Sequence, residues 1–288
     1  MINLDFSDVI NNNTNLLDQA QKLLFKKLSS DPENIDYLWK LGNILRQKGH
    51  LKESLNYYEK IFNIQPNYKN VKYLILLLSE KPFESPFIKE IHPTPFVYIE
   101  NFLSDSEQEQ IWNLVNINQT QFKHSQLGDE NTDTEYRKSH VLSQKELKPI
   151  TSWFSEKLDT ILPSIFERLQ MEPFNVNQKE IQLTVHKNKA FYKVHTDSAD
   201  EDYYKNRHLT FVYYFHKLPK LFEGGEILLF DTDTINNSYT TQHTKITPSN
   251  NSIIFFPSNY YHQVTPVHLK SNKLKNGRFT INGWVHKN

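Results

Sequence analysis

Over the first eighty residues, apolar side chains recur at helical spacing, at Leu16, Ala20, Leu23 and Leu24 and then at Leu38, Leu41, Ile44 and Leu45. Residues three and four apart share one face of a helix, so this pattern predicts amphipathic helices with a buried stripe. A further helix is expected from Tyr68 to Ser79. The stretch Lys81-Pro-Phe-Glu-Ser-Pro86, followed by Pro93 and Pro95, interrupts the pattern and reads as a linker. Beyond it, Ser104-Asp-Ser-Glu107 has the form of a capping box ahead of Ile111, Trp112, Leu114 and Val115. A second amphipathic stretch runs from Leu147 to Leu169, and Pro163 is expected to break or kink it. Gly128 to Glu135 reads as a polar loop. From Ile181 the period changes to that of strands: Ile181–His186, Leu209–Phe215, Ile227–Phe230, Ser252–Phe256 and Arg278–Val285. Short strands separated by turns predict a jelly roll or sandwich flanked by two helices. The expectation is an α+β chain with a helical domain at 1–85 and a β domain at 90–288.

The helical part admits a sharper alignment. Leu41-Gly42 falls on the Leu-Gly of a tetratricopeptide repeat, with Leu38 at the usual Trp position, Gly49 at the turn, Tyr58 on the second helix and Pro66 at the close. One repeat length earlier, Ala20 and Pro32 occupy the small-residue and proline positions, while Leu45 and Ser54 depart from the favoured Tyr and Ala. The segment resembles about two such repeats plus one helix; the alternative is an ordinary helical hairpin. Two repeats are fewer than such arrays need to stand alone, so packing on the rest of the chain is expected. The concave face is then a candidate peptide groove.

Composition narrows the function classes. Lys+Arg and Asp+Glu each number 33 in 288 residues, so the formal net charge is zero, and neither side of residue 85 is strongly basic. Bulk attraction to a phosphate backbone is absent, which argues against nucleic acid as a partner. No cysteine is present, excluding disulfide scaffolds, thiolate metal sites and cysteine nucleophiles. Met1-Ile-Asn-Leu-Asp5 lacks the basic-then-apolar order of a secretory signal, and the longest apolar run, Tyr73 to Leu78, is far below the roughly 20 residues that span a bilayer. A cytoplasmic protein without a membrane partner is expected.

The chemistry concentrates late in the chain. His195-Thr-Asp197 sets an imidazole and a carboxylate two residues apart on extended backbone, and His262 follows Phe256-Pro-Ser-Asn-Tyr-Tyr at the end of another strand. Two histidines and one carboxylate on one face of an octahedral metal leave the other face open, as non-haem Fe(II) requires for a bidentate co-substrate and O₂. Arg278 and Thr280 stand two apart on a strand, so a guanidinium fork and a hydroxyl project to one side, a pairing suited to the distal carboxylate of a small dicarboxylate.

In this order, His-x-Asp, distal His and Arg-x-Thr, the chain resembles the Fe(II)/2-oxoglutarate-dependent dioxygenases, in particular the prolyl-4-hydroxylase-like branch. The similarity runs from about Pro93 to the end and includes Phe211-Val-Tyr-Tyr-Phe215, Gly224-Gly-Glu226 and Asn251-Ser-Ile-Ile-Phe-Phe-Pro257. The resemblance implies a double-stranded β-helix, a jelly-roll fold. It implies that His195, Asp197 and His262 ligate iron and that Arg278, assisted by Thr280, holds the C5 carboxylate of 2-oxoglutarate. A Tyr commonly found ahead of the His-x-Asp in this family is replaced here by His186, with Tyr192 as the alternative contact. The cofactors implied are Fe(II), 2-oxoglutarate and O₂, with ascorbate as a candidate reductant. A carboxylate at Asp197 argues for hydroxylation, since halogenases of the family free that position for halide. His208 and His216 flank an apolar strand and read as core groups, and Asp200, Glu201 and Asp202 read as a solvated turn.

The function expected is hydroxylation of a side chain, with proline the family-weighted choice, in a peptide or protein held by the helical repeats, releasing succinate and CO₂. Two alternatives stay open: an oxygenase of a free or carrier-bound metabolite, and a repeat adaptor carrying a degenerate barrel. The oligomeric state is open.

Overall fold

The computed structural model describes residues 6–79, 81, 91–125, 136–198, 204–271 and 273–288. The linker at 82–86, the loop at 128–135, the acids at 200–202 and the first five residues lie outside them. Helices α1 (Phe6–Ser30), α2 (Ile35–Lys48), α3 (Leu51–Ile64) and α4 (Val71–Leu78) form an N-terminal arm. The Asn34 side chain accepts the Tyr37 backbone N–H and so caps α2, while Gly49, at φ 82°, ends it in the left-handed region where glycine is least strained. α2 and α3 meet closely where Gly42 faces the Tyr58 ring, and a Cβ there would lie 2.8 Å from it. Among the described residues no helix is long and apolar enough to cross a membrane.

The strands follow in chain order as β1 (Val97–Glu100), β2 (Lys123–His124), β3 (Arg137–Lys138), β4 (His140–Val141), β5 (Val176–His186), β6 (Phe191–His195) and β7 (Arg207–Phe215). Then come β8 (Phe222–Gly224), β9 (Ile227–Asp233), β10 (Ser238–Ile246), β11 (Ser252–Pro257), β12 (His262–Val264), β13 (Val267–Leu269) and β14 (Arg278–Lys287). Among the described residues they build a seven-stranded sheet, β1-β11-β7-β14-β5-β4-β2, a five-stranded sheet, β10-β9-β12-β6-β3, and a β13-β8 ribbon, all antiparallel.

Period-two alternation assigns the two faces of the larger sheet. Leu183 and Val185, Leu209, Phe211 and Tyr213, and Phe279 and Ile281 point to one side and join the core with α5 (Asp105–Ile117) and α6 (Gln144–Leu169). The alternate positions, among them Thr184, Thr210, Arg278 and Thr280, point to the other side, into a cavity also lined by the smaller sheet. The capping box at Ser104 forms as the sequence predicts, with both reciprocal bonds to Glu107 present. Pro163 does not end its helix: α6 runs unbroken through Pro149 and Pro163. Leu158 and Leu162 before the proline and Ile165, Phe166 and Leu169 after it are buried in the same core, which offsets the lost backbone bond.

The arm is joined to the sheets. Leu38, Tyr58, Ile61, Leu74 and Leu77 share a buried cluster with Tyr214, Ile227, Leu229, Ile246 and Ile254. At its border the fully buried Arg46 guanidinium makes a two-pronged pair with Asp231 on β9, at 2.7 and 2.8 Å, and donates to Thr244 on β10 at 3.0 Å.

Candidate metal centre

His195 closes β6, His262 opens β12, and antiparallel pairing sets them opposite one another. Asp197 lies two residues past His195, in the bend after the strand. Its backbone N–H donates to the Ser258 carbonyl at 2.9 Å, and the Thr210 hydroxyl donates to its Oδ2 at 2.8 Å. The three side chains are buried, and each offers one ligand atom within 4.8 Å of the others.

The backbone sets the tautomers. Nδ1 of His195 lies 2.7 Å from the Lys193 carbonyl, and Nδ1 of His262 lies 3.1 Å from the Tyr260 carbonyl. A carbonyl only accepts, so each Nδ1 carries hydrogen and each neutral ring keeps its Nε2 lone pair for a ligand. Burial, reinforced by His262, pushes the His195 imidazole down to about 4, so it is neutral near pH 7. Burial alone would raise the Asp197 carboxyl, but His262 and His195 beside it hold it well below the usual carboxylate range. Two imidazole Nε2 atoms and one carboxylate form the donor set of a 2-His-1-carboxylate site for a first-row divalent metal, so the residues present fit Fe(II).

Deeper in the cavity Arg278 is 2% exposed. Its Nε–H donates to the Gly225 carbonyl at 2.7 Å, one terminal N–H points at His186 Nδ1 at 3.3 Å, and its guanidinium lies 5.0 Å from the centre of the Tyr214 ring. Among the described residues no carboxylate forms an ion pair with it. Gly225 sits at φ 71°, and a Cβ there would lie 2.5 Å from the Arg278 stem, so glycine is what lets the backbone approach. Because Arg278 donates to Nδ1, the neutral His186 ring carries its hydrogen on Nε2. Burial, and Arg278 next to it, hold His186 well below its ordinary value. That Nε2, the Thr184 hydroxyl and the Trp284 indole N–H are buried without protein partners, and all three residues line the cavity. An anionic ligand with several oxygen atoms would satisfy such a set of groups.

The seven residues singled out in the sequence, His186, Tyr192, His195, Asp197, His262, Arg278 and Thr280, line this one cavity. Tyr192 stacks on the His195 ring at 3.6 Å, and the Thr280 hydroxyl donates to Asn282 at 3.2 Å. His208 packs on Phe174 and His216 is buried against Phe222, both away from the cavity lining. Sequence reasoning missed Thr184, Thr210, Asn282, Trp284 and Arg137, which also line the cavity. Alternation along β5 and β14 was the available signal for three of them, since Thr184, Asn282 and Trp284 stand two or four positions from His186 or Thr280. Thr210 and Arg137 carry no local signal; only the folded chain brings Thr210 to Asp197 and sets Arg137 over the Tyr192 ring at 4.8 Å.

Residues 181–286 match the model of the 2OG-Fe(II) oxygenase superfamily. An uncharacterized PKHD-type hydroxylase, sll0191, of the cyanobacterium Synechocystis sp. is 37% identical over 235 residues, covering 80% of this chain and 74% of its own. Among solved structures, a prolyl hydroxylase from Trichoplax adhaerens, in complex with a hypoxia-inducible-factor degradation-domain peptide, superposes with a TM-score of 0.51 at 20% identity, covering 67% of this chain and 83% of that one. A Pseudomonas putida prolyl-4-hydroxylase gives a TM-score of 0.47 at 14% identity, over 68% and 94% of the two chains.

Proposed function

The chain belongs to the 2OG-Fe(II) oxygenase superfamily, and from that premise we propose that it hydroxylates a side chain, prolyl by preference, in a peptide or protein held partly by its helical arm. It is a 2-oxoglutarate-dependent dioxygenase whose cofactors are Fe(II), 2-oxoglutarate and O₂. The observation that carries our site assignment is a buried guanidinium without a carboxylate partner in the same cavity as a His-Asp-His donor set. In this reading the sheets form a double-stranded β-helix over 90–288, and the arm, 1–85, is a short tetratricopeptide-like array docked on it.

His195 and His262, through Nε2, and Asp197 would hold the iron; bound there, it supplies oxygen activation coupled to decarboxylation of 2-oxoglutarate to succinate. Arg278 would receive the distal carboxylate of the co-substrate, with the His186 Nε2–H as a second donor and Thr280 beside them. Thr210 holds the Asp197 carboxylate in place, and the Lys193 and Tyr260 carbonyls hold the rings. The apolar walls, Val212, Ile227 and Val264, exclude water from the reacting centre. The peptide reading is supported by the arm, which is joined to the cavity-bearing sheets by a shared core. The Trichoplax structure, a related fold with a peptide bound, is consistent with it.

The test uses protein purified without oxygen, loaded with Fe(II), supplied with 2-oxoglutarate and O₂, and offered peptides and proteins from its source. The expected result is succinate release matched by a mass gain of one oxygen on a peptide, with iron and turnover both lost in His262→Ala. Full turnover in that variant would overturn the metal assignment. Oxygen transfer to small metabolites alone would overturn the peptide reading.

A further inference from the structure

A second concavity, of about 780 Å³, opens between the arm and the smaller sheet, where α1, α2 and the start of α4 face β9 and β10. It shares no lining residue with the metal-centre cavity. Its floor is apolar: Leu24, Ile44 and Leu74 are buried there, and Leu23 lies at its edge 55% exposed. Its exposed charges have one sign. Lys27, Lys40 and Lys69 line it and are exposed, and none forms an ion pair with a described residue. Asp231, the single carboxylate in the described lining, is already neutralised by the two-pronged bond from Arg46. The Lys27 and Lys69 ammonium groups lie 5.1 Å from the centres of the Tyr37 and Trp39 rings, which hold them beside the concavity. The Arg46 Nε–H is buried without an acceptor.

We propose that this groove binds an acidic peptide segment bearing apolar anchors, a recognition segment of the protein substrate outside the residue that is hydroxylated. The inference rests on the peptide reading of the function and supplies its selectivity. Carboxylates of the segment meet the three ammonium groups, and apolar side chains of the segment cover Leu23 and the floor. With a formal net charge of zero on the chain, the cationic rim is a local feature, so it selects by position and not by bulk attraction.

The experiment measures fluorescence anisotropy of three labelled probes with the full-length chain, prepared without iron or co-substrate. The probes are a twelve-residue peptide alternating Glu or Asp with Leu or Phe, the same peptide with Lys replacing every acid, and a single-stranded oligouridylate. The acidic peptide is expected to bind, with affinity falling as salt rises toward about 0.5 M, where screening is nearly complete at contact distances. Reversing Lys27→Glu, Lys40→Glu and Lys69→Glu together should weaken binding about tenfold or more, since each exposed pair contributes modestly and reversal adds repulsion. Leu23→Glu, at an exposed position that the fold tolerates, should weaken it by a smaller factor. Equal affinity in the triple variant, tighter binding of the Lys peptide, or tighter binding of the oligouridylate would each overturn the proposal. Because no cofactor is present, the result is independent of the hydroxylase assay: peptide capture without any turnover would remove the function reading and leave the groove, while turnover on peptides without groove binding would do the reverse.

Discussion

Two arginines, one sent from the helical arm and one in the metal-centre cavity, are equally buried and opposite in circumstance. Arg46 and Arg278 are 1% and 2% exposed. Arg46, sent from the helical arm, meets both oxygens of Asp231 and the Thr244 hydroxyl. Arg278, within the cavity, meets a backbone carbonyl and a neutral imidazole, with no ion pair to a described carboxylate. A buried charge is expensive, and the first site offsets that cost within the protein while the second leaves it to be met by a ligand. The contrast distinguishes a guanidinium that joins two parts of a fold from one that waits for an anion.

The largest effect that tests this contrast belongs to Arg46. Arg46→Met leaves the buried Asp231 without its cation, and breaking a buried pair in this way costs about 3–5 kcal/mol. Urea unfolding of the full chain should show that loss, and adding Asp231→Leu should restore most of it. If the single variant is as stable as the parent, the pair does not join the arm to the barrel. Arg278→Met is expected to do the reverse. Its co-substrate role predicts that 2-oxoglutarate binding, titrated calorimetrically into the Fe(II)-loaded chain under nitrogen, weakens by roughly ten- to a hundredfold, the equivalent of about 1.5–3 kcal/mol for a charge-assisted contact. Its stability should change far less than that of Arg46→Met, because no carboxylate is left unpaired. Equal destabilisation of the two variants would erase the distinction.

The smallest effect is one of pH. Burial, and then Arg278, keep His186 neutral in the folded protein, and burial brings His140 down to about 4. An unfolded histidine takes its proton near 6.5, so below that pH the unfolded chain binds protons that the native chain refuses. Stability is therefore full above about 6.5 and declines as pH falls toward 4. The melting temperature should be lower at pH 5 than at pH 7, and Arg278→Met should flatten that decline by letting His186 accept a proton more readily. A decline equally steep in Arg278→Met would show that burial alone controls His186.

Legibility varied with how local each feature is. The α5 capping box is legible because Ser104 and Glu107 satisfy each other's backbone within one turn. The strands over Ile181–His186, Leu209–Phe215 and Arg278–Val285 are legible from their strand-type composition, and in the fold they extend to Val176–His186, Arg207–Phe215 and Arg278–Lys287. β10 carries no apolar signal: Ser238–Ile246 is mostly polar, and it is a strand because it pairs with β9 and receives the arm. Pro163 does not break α6, because the buried residues on both sides of it outweigh its local cost. At the metal centre the ligand-type side chains were legible as short motifs, whereas Thr210, Arg137 and the tautomers of the two histidines were not.

What the amino-acid order decided by itself was whatever depends on neighbours a few positions apart: helical stripes, the cap at Ser104, the two faces of each strand, and the spacing of His195-x-Asp197 and Arg278-x-Thr280. Which face of the larger sheet became a cavity, that His262 lies opposite His195, and that Arg46 rather than Arg278 found a carboxylate were decided only by tertiary packing. Arg46 and Asp231 are 185 positions apart, and no local preference favours their meeting. Such a pair gains its free energy only after the arm and both sheets have assembled and excluded water, which strengthens the charge interaction and makes any unpaired charge costly.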